Sequence, residues 1–266
     1  MPAMELITGK VFDAGTLKAL TPLAGNSLTV RNAPDGTAVR LLQAWMTEDA
    51  INHLGQLVIR SPLMHDNVRG ISLIEGGSRC LPLLNNLVRQ TLFPQDTLTL
   101  EALGVAGAAV YTFGSILLWY EDLIGVESHF IDPSELRDRS TNLMTVENTI
   151  TALDTGEYAT AEAINAESDL FKANTEYAII GYVCQNIAAQ AIRYRASSWG
   201  NLGIGGPANE LNPHLMSQWF TNLSEQVGIP LIPVFNSAER ANVLIDMCTD
   251  ETATDQKVIT YLAQLR

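Results

Sequence analysis

The sequence predicts an all-β fold with short helical insertions, arranged as two halves that repeat one plan. Apolar runs of strand length, many of them alternating with polar residues, recur along the whole chain. Clusters of Gly, Pro, Asn and Asp separate these runs, as turns do between antiparallel strands. The runs of the second half follow one another in the order of the first. Many short strands with this spacing favour a sandwich or barrel over an α/β sheet.

Composition and charge narrow the classes of function. The chain has 266 residues, 47% of them hydrophobic, which suffices for one large domain or for two smaller ones. Its 29 acidic and 16 basic residues give a formal net charge of −13. Because this charge repels phosphate, we expect no direct binding of nucleic acid. We expect the acidity to keep the protein soluble.

The first half contains six predicted strands and one predicted helix. Leu81–Leu92 has apolar residues at helical spacing. Leu103–Tyr120 is apolar, but its glycines and β-branched residues favour strands over a membrane helix. The predicted strands are Ser27–Arg31, Thr37–Trp45, Gln56–Arg60, Gly70–Ile74, Thr97–Leu100 and Ala109–Tyr120.

The second half repeats this succession after a polar connection, Ile124–Asn165. Pro213–Val227 is predicted to be a helix, with Asn212 as its N-cap and Pro213 at its first position. The predicted strands are Tyr177–Gln185, Ala189–Arg195, Leu231–Phe235, Asn242–Met247 and Val258–Leu265.

Matching segments indicate an internal duplication. Leu57–Arg60 and Gly70-Ile71 match Gln190–Arg193 and Gly203-Ile204, and both pairs are separated by the same offset of 133 residues. This match makes Arg60 and Arg193 candidates for equivalent structural roles. The alternative is an ordinary surface ion pair of small value.

Further matches extend the duplication in both directions. Upstream, Ala38–Trp45 corresponds to Ala178–Gln185; downstream, Leu98–Leu100 corresponds to Leu231–Val234. Each half then reaches an apolar strand that ends in carboxylates. The predicted organisation is an N-terminal arm at 1–24, a first domain at 25–139 and a second domain at 140–266.

The duplicated plan over residues 25–266 resembles a known family of viral proteins. Tyr177–Tyr182 (YAIIGY) and Gly228–Phe235 (GIPLIPVF) look like phage coat sequences. The chain is similar in these respects to the double jelly-roll major capsid proteins of tailless icosahedral DNA viruses, the lineage of membrane-containing phages and adenovirus hexon.

The resemblance implies a fold and a role. Each chain would contribute two tandem jelly-roll barrels, and three chains would form a pseudo-hexagonal trimeric capsomer of an icosahedral shell. It implies a virion protein assembled in the host cytoplasm, with other capsid proteins as partners and contact with an internal membrane as in many relatives. The family has no catalytic signature, so no catalytic, cofactor-binding or metal-binding residue is carried over.

The residues themselves contain no recognisable catalytic pattern. His65-Asp66 is the nearest approach to an acid–base pair, but adjacent residues point to opposite faces of a strand. Gly203–Pro207 lacks the Lys-Ser or Lys-Thr of a phosphate loop and fits a close-packed turn better. The other histidines and the cysteines match no metal-ligand spacing, and the cysteines are expected to be buried thiols; they are His53, His129, His214, Cys80, Cys184 and Cys248.

Two groups of residues leave alternatives open. The carboxylates that end the matching strands could hold calcium at a subunit junction, or be solvated loop charges; they are Glu121, Asp122, Asp250, Glu251 and Asp255. Trp199 and Trp219-Phe220 could anchor an interface, or be buried in their own barrel.

Two rival functions compete with the capsid prediction. One is a glycan- or receptor-binding β module, for which Trp199 beside Asn201 would be an exposed aromatic in a loop. The other is an unusual cupin-like enzyme, which requires a pocket with converging polar groups inside one barrel. A filled barrel interior would exclude the second rival.

Overall fold

The computed structural model consists mainly of antiparallel β-sheets, which confirms the all-β prediction. Within the described residues, three short α-helices and the 3-10 helix Ser237–Asn242 accompany the strands. The structure describes residues 1–48, 54–76, 90–104, 111–127, 129–151, 156–159, 162–164, 170–185, 189–208, 213–249 and 255–266.

Nine described strands precede residue 128. They are β1 (Ala3–Phe12), β2 (Lys18–Ala19), β3 (Thr21–Pro22), β4 (Val39–Glu48), β5 (Leu54–Arg60), β6 (Ile71–Gly76), β7 (Gln90–Leu92), β8 (Thr99–Leu103) and β9 (Tyr111–Tyr120).

Nine described strands and three α-helices follow residue 128. The strands are β10 (His129–Ile131), β11 (Ser140–Ile150), β12 (Glu162–Ala163), β13 (Glu176–Cys184), β14 (Ala189–Arg195), β15 (Ile204–Pro207), β16 (Ile232–Asn236), β17 (Leu244–Thr249) and β18 (Gln256–Leu265). The helices are α1 (Pro133–Arg139), α2 (Pro213–Met216) and α3 (Trp219–Val227), and the 3-10 helix is Ser237–Asn242.

The strands form four sheets, two on each side of residue 128. The first pair has the orders β3-β1-β9-β4-β7 and β2-β8-β5-β6. The second pair has the orders β10-β16-β13-β18-β11 and β12-β17-β14-β15. Among the described strands, none from one side of residue 128 pairs with a strand from the other. We call residues 1–127 the first unit and residues 129–266 the second unit.

The two units have the same strand order. The strands β1, β2, β4, β5, β6, β7, β8 and β9 correspond in turn to β11 through β18. In each unit the first, eighth, third and sixth of these strands are neighbours in one sheet, in that order. The second, seventh, fourth and fifth are neighbours in the other. The matches of β4 with β13, β5 with β14 and β6 with β15 are those predicted from sequence.

Each unit has its own apolar core. The first core lies between the two sheets of the first unit and includes Ile7, Leu57 and Ile116. The second core fills the second unit, around Tyr182, Ile192 and Phe220, and extends to side chains of the first unit. Helix α3 covers this unit with its apolar face, since Trp219, Leu223 and Val227 are all buried.

The amino-terminal segment is part of the first unit and not an arm. Strand β1 pairs with β9 along its whole length, from Ala3 opposite Tyr120 to Phe12 opposite Tyr111. Residues 3–9 are all buried, and β2 and β3 also join the sheets. Two charged residues interrupt the apolar pattern of this strand in the sequence, and both form ion pairs with residues that are distant in sequence. Glu5 binds Arg31, and Lys10 binds Glu157.

The polar connection also contains an element that sequence patterns missed. Strand β11 has eleven residues and pairs with β18, although most of its side chains are exposed. Strand β10 pairs with β16, so residues 129–139 belong to the second unit and the division falls near residue 128 and not at 139. Ser27–Arg31 forms a single bridge, Thr29 opposite Thr97, in place of a strand.

The predicted helices had different outcomes. Pro213–Val227 is helical but is divided into α2 and α3, and Pro213 is the first helical residue as predicted. The proposed N-cap, Asn212, lies outside the described residues. Of Leu81–Leu92, residues 90–92 form β7 in place of a helix, and the remainder also lies outside the described residues.

After the predicted helix of each half, the alignment of the two halves predicted from sequence is wrong by one strand. Strand order matches β16 with β7, and it matches β17 with β8. The sequence comparison instead placed Leu231–Val234, at the start of β16, on Leu98–Leu100. The cause is the length of β7, since a strand of three residues leaves no periodic pattern to detect.

We predict that Leu6→Ala destabilises the protein by about 2–5 kcal/mol, because it leaves a cavity at a fully buried side chain of β1. The free energy of unfolding in urea measures the loss. Leu170→Ala is the control, since Leu170 is 45% exposed and should change stability by no more than about 0.5 kcal/mol. Equal values for the two variants would contradict the burial of β1.

Candidate functional site

The junction between the two units combines apolar packing, hydrogen bonds and a buried ion cluster. The outer face of the first unit's five-stranded sheet is apolar and packs against the second unit. Trp119 makes an edge-to-face contact with Phe130, with ring centroids 5.3 Å apart. The side chains on this face that join the core of the second unit include Met4, Leu6, Trp45, Phe113, Leu117 and Trp119.

Polar bonds cross the same junction. The Leu6 amide donates to the Gly203 carbonyl at 2.7 Å, so the edge of β1 is covered by the connection that precedes β15. The Tyr158 hydroxyl donates to Thr8 Oγ1 at 3.1 Å. The Glu127 amide donates to the Ser198 carbonyl at 2.7 Å. These bonds fix the register in which the units meet.

A buried ion cluster lies at this junction. Asp246, on β17, has no solvent exposure and accepts from Arg193 Nε at 2.6 Å. Arg195 binds the same carboxylate with two nitrogens, at 2.6 and 3.1 Å. The Asp246 hydrogen bond raises the pKa of Arg195. Two arginines around one carboxylate meet the requirement that a buried charge be paired and hydrogen-bonded.

Arg193 links this cluster to the first unit. Its two terminal nitrogens each lie 3.4 Å from the Ala24 carbonyl. Its guanidinium carbon also lies 3.5 Å from the centre of the Tyr158 ring, a cation–π geometry. One side chain of β14 therefore joins three segments that are distant in sequence.

The first unit contains a smaller version of the same pair. Arg60 ends β5 and forms an ion pair with Glu101, the third residue of β8. Arg195 ends β14 and binds Asp246, the third residue of β17. Cross-strand partners make Arg195 the counterpart of Arg60, because Arg60 lies opposite Thr99 and Arg195 opposite Leu244.

The predicted equivalence of Arg60 and Arg193 was therefore wrong by two residues. The counterpart of Arg193 is Val58, which lies opposite Glu101 as Arg193 lies opposite Asp246. The error arose because the loop between β5 and β6 is longer than the loop between β14 and β15. A single offset cannot align both strands.

Three buried tyrosines have phenol pKa values well above the ordinary value. Burial raises the pKa of Tyr158 and Tyr194 above the usual range. Burial also raises the pKa of Tyr120, helped by the charge of Glu5, whose carboxylate accepts from the Tyr120 hydroxyl at 2.8 Å. Tyr120 and Tyr158 donate hydrogen bonds in the folded protein, and Tyr194 shares one with the Thr260 hydroxyl. Because all three phenols are buried, their ionisation opposes folding.

The described histidines are dispersed. His65 and Asp66 are both exposed, and Asp66 accepts from the Val68 and Arg69 amides as the first residue of a turn. The Arg69 amide bond lowers the pKa of Asp66. His129 lies 3.6 Å from Glu176 at the surface. His53 lies outside the described residues, and so does Cys80.

Of the three described carboxylates proposed for calcium, Glu121 and Asp122 bind cations of the protein itself, and Asp255 is exposed. Glu121 accepts from Arg40 at 2.5 Å, and Asp122 pairs with the amino group of Met1. Within the described residues there is no group of three His, Cys, Asp or Glu side chains placed to hold a metal. Asp250 and Glu251 are outside them.

The aromatic and glycine-rich residues considered as sites pack in the interior of the protein. Trp199 is 1% exposed and Trp219 is 3% exposed, so both are buried within the chain. Gly203–Pro207 includes strand β15, where a side chain at Gly205 would collide with the Ile192 carbonyl. A close-packed segment was the predicted alternative to a phosphate cradle. Cys184 and Cys248 are buried, as expected of thiols in a core.

Two surface clefts lie near the junction. One, of about 490 Å³, has walls from both units, including Arg31, Gln95, Ile124 and Gly200. The other, of about 570 Å³, is lined by Glu127, Ser197, Ser198 and Glu239 among other described residues. Neither set of described lining residues includes a histidine, cysteine or lysine that could activate a nucleophile.

None of the helices in the described part of the chain has the length and apolar character required to span a bilayer.

Comparison with known proteins gives little further information. No family model and no curated protein matches the chain. Among solved structures, the chain is similar to the empty top component of cowpea mosaic virus, at 9% identity and a TM-score of 0.21, covering 99% of this chain and 89% of that one. For a T=1 particle of Penaeus vannamei nodavirus the values are 10%, 0.22, 99% and 98%.

A further similarity is to an enzyme. A β-porphyranase from the gut bacterium Bacteroides plebeius matches at 6% identity and a TM-score of 0.20, covering 93% of this chain and 38% of that one. Capsid particles and a polysaccharide-degrading enzyme thus match equally weakly. TM-scores this low do not discriminate between the two functions.

We predict that Asp246→Asn lowers the free energy of unfolding by about 3–5 kcal/mol, because it leaves two arginines around a neutral side chain. The matched control is Glu101→Gln in the first unit, where the pair is partly exposed and the loss should be about 1 kcal/mol or less. Urea unfolding of both variants provides the comparison. Equal losses of unfolding free energy in the two variants would show that the cluster around Asp246 stabilises the protein no more than the pair in the first unit does.

We predict that Tyr120, Tyr158 and Tyr194 do not ionise near pH 10 in the folded protein. Their native pKa values exceed the unfolded value of about 10, so their contribution to stability is complete below pH 10 and is lost as pH rises above it. Phenolate absorbance at 295 nm measures the titration. The chain has seven tyrosines, and all should titrate together in urea; the same result without urea would contradict the prediction.

Proposed function

We propose that this chain is a structural subunit of an icosahedral virion, formed by two tandem jelly-roll barrels and assembled as trimers. The observation that carries the proposal is the repeated strand order. A jelly roll places its eight strands in two facing sheets, as first-eighth-third-sixth and second-seventh-fourth-fifth. Both units have these two orders.

The helices support the same proposal. In the second unit, α2 and α3 lie between the fifth and sixth strands, β15 and β16. The equivalent position in the first unit is the segment 77–89, between β6 and β7, which is outside the described residues. A helix at this place in both halves is what the apolar spacing of the sequence predicted.

The chemistry of the described residues favours a structural role over catalysis. The interiors of both units are filled by large side chains, such as Tyr120 in the first and Tyr177, Tyr182 and Phe220 in the second. Polar clusters consist of charges paired with one another and not converging on a pocket. We therefore propose that the protein is not an enzyme.

The binding-module alternative loses its specific support. It depended on Trp199 as an exposed aromatic beside Asn201, and Trp199 is 1% exposed. Self-association with further copies and with other capsid proteins is the proposed partnership. Contact with an internal membrane, a phage source and assembly in the host cytoplasm remain parts of the proposal that rest on the sequence resemblance alone.

The proposal predicts a stable trimer or a larger closed shell. Light scattering of the purified protein across salt and calcium concentrations should give three times 29.0 kDa or more. Negative-stain images of the same samples should show three-sided or six-sided particles. A strict monomer under every condition would contradict the proposal.

A further inference from the structure

Strand β11 is an unusual edge strand. The four sheets have eight edge strands among the described elements, and seven of them contain two to six residues. Strand β11 contains eleven and pairs on one side with β18. Long open edges promote pairing with other chains, and proteins usually shorten or cover them.

The composition of β11 does little to block such pairing. It has no proline and no lysine, and its single charged residue, Glu147, is neutralised by Lys257 at 2.6 Å. Leu143 is 68% exposed on the strand. In the described part of the chain, the backbone of residues 141–147 has no hydrogen-bond partner outside β18.

The counterpart of this edge in the first unit is covered. Strand β1 occupies the same place as β11, and its outer edge is covered from two sources: β3 and residues 23–26 of its own unit, and Gly203 of the second unit. The Leu6 amide donates to the Gly203 carbonyl of the second unit, and the Thr8 amide donates to Asn26 Oδ1 at 2.9 Å. The Leu23 amide donates to the Thr8 carbonyl at 2.9 Å. One of these partners, Gly203, comes from the following unit.

The Gly203 segment, which covers part of β1, has a counterpart in the first unit, and that counterpart carries exposed apolar side chains. Gly203 immediately precedes β15, and Gly70 immediately precedes β6 at the same place in the first unit. The loop 61–70 that ends at Gly70 presents Leu63 and Val68, which are 59% and 75% exposed. The edge of β1 is therefore covered by the Gly203 segment. The edge of β11 and the loop 61–70, which are the equivalents of these two elements, are both exposed.

We propose that the β11 edge of one copy binds the loop 61–70 of a second copy, repeating between chains the contact that β1 makes with Gly203 within the chain. This inference rests on the proposed self-association and names its interface. The contact is head-to-tail, since the two surfaces belong to opposite units. Three copies would supply six units in which every first-strand edge is covered.

Charged side chains at the two surfaces test the proposal in the full-length protein. Leu143→Lys and Val68→Lys should each weaken self-association at least tenfold in light scattering, while Leu170→Lys, an exposed leucine elsewhere, should assemble as the wild type does. Wild-type assembly combined with normal assembly of Leu143→Lys would overturn this interface and leave the proposed function intact. A strictly monomeric wild type would overturn both.

Mixing the two variants tests the head-to-tail geometry. Each variant retains one intact surface, so an equimolar mixture should form a pair of twice 29.0 kDa that cannot grow further. Pairs formed by either variant alone would instead indicate a symmetric contact and overturn the proposal.

Hydrogen exchange of the wild-type protein provides a measurement that does not depend on how the variants fold. The amides of residues 141–147 that point away from β18 should exchange at least tenfold more slowly in the assembled protein than in the dissociated one. Equal exchange rates in the two states would overturn the proposal.

Discussion

The side chain of Asp246 has no solvent exposure and binds two arginines at the place where the two units meet. A lone carboxylate in such a place would be strongly unfavourable. Arg193 and Arg195 supply five-donor forks from the neighbouring strand, and Arg193 extends beyond the carboxylate to Ala24 of the first unit. The cluster thus specifies which segments meet, while apolar burial around it supplies most of the free energy.

Apolar residues on both faces of one sheet explain why the two units form a single structure. In the first unit's five-stranded sheet, Ile7 and Ile116 face the unit's own core, whereas Leu6 and Leu117 face the second unit. A sheet of this kind would expose a large hydrophobic surface if its unit were isolated. The first unit is therefore completed by the second, although their strands do not pair in the described residues.

Sequence patterns predicted the strands with local signals and missed those defined by distant partners. Strands β4, β5, β6, β13 and β14 alternate or are continuously apolar. The sequence matched them with the right strands of the other half, although β5 and β14 were aligned two residues out of register. Strand β1 was missed because Glu5 and Lys10 interrupt it, and their partners Arg31 and Glu157 are far away in sequence. The ion cluster could not be predicted for a related reason: no local pattern indicates that Asp246 would lie opposite Arg193.

The position of β18 has a consequence for synthesis on the ribosome. This strand lies between β13 and β11, so the larger sheet of the second unit cannot close until Gln256–Leu265 has been translated. The strands of the first unit all precede residue 121, and that unit can fold much earlier. During the interval it exposes Met4, Leu6 and Trp45 to solvent. Nascent chains therefore pass through a stage in which the folded first unit displays an apolar surface that the second unit later covers.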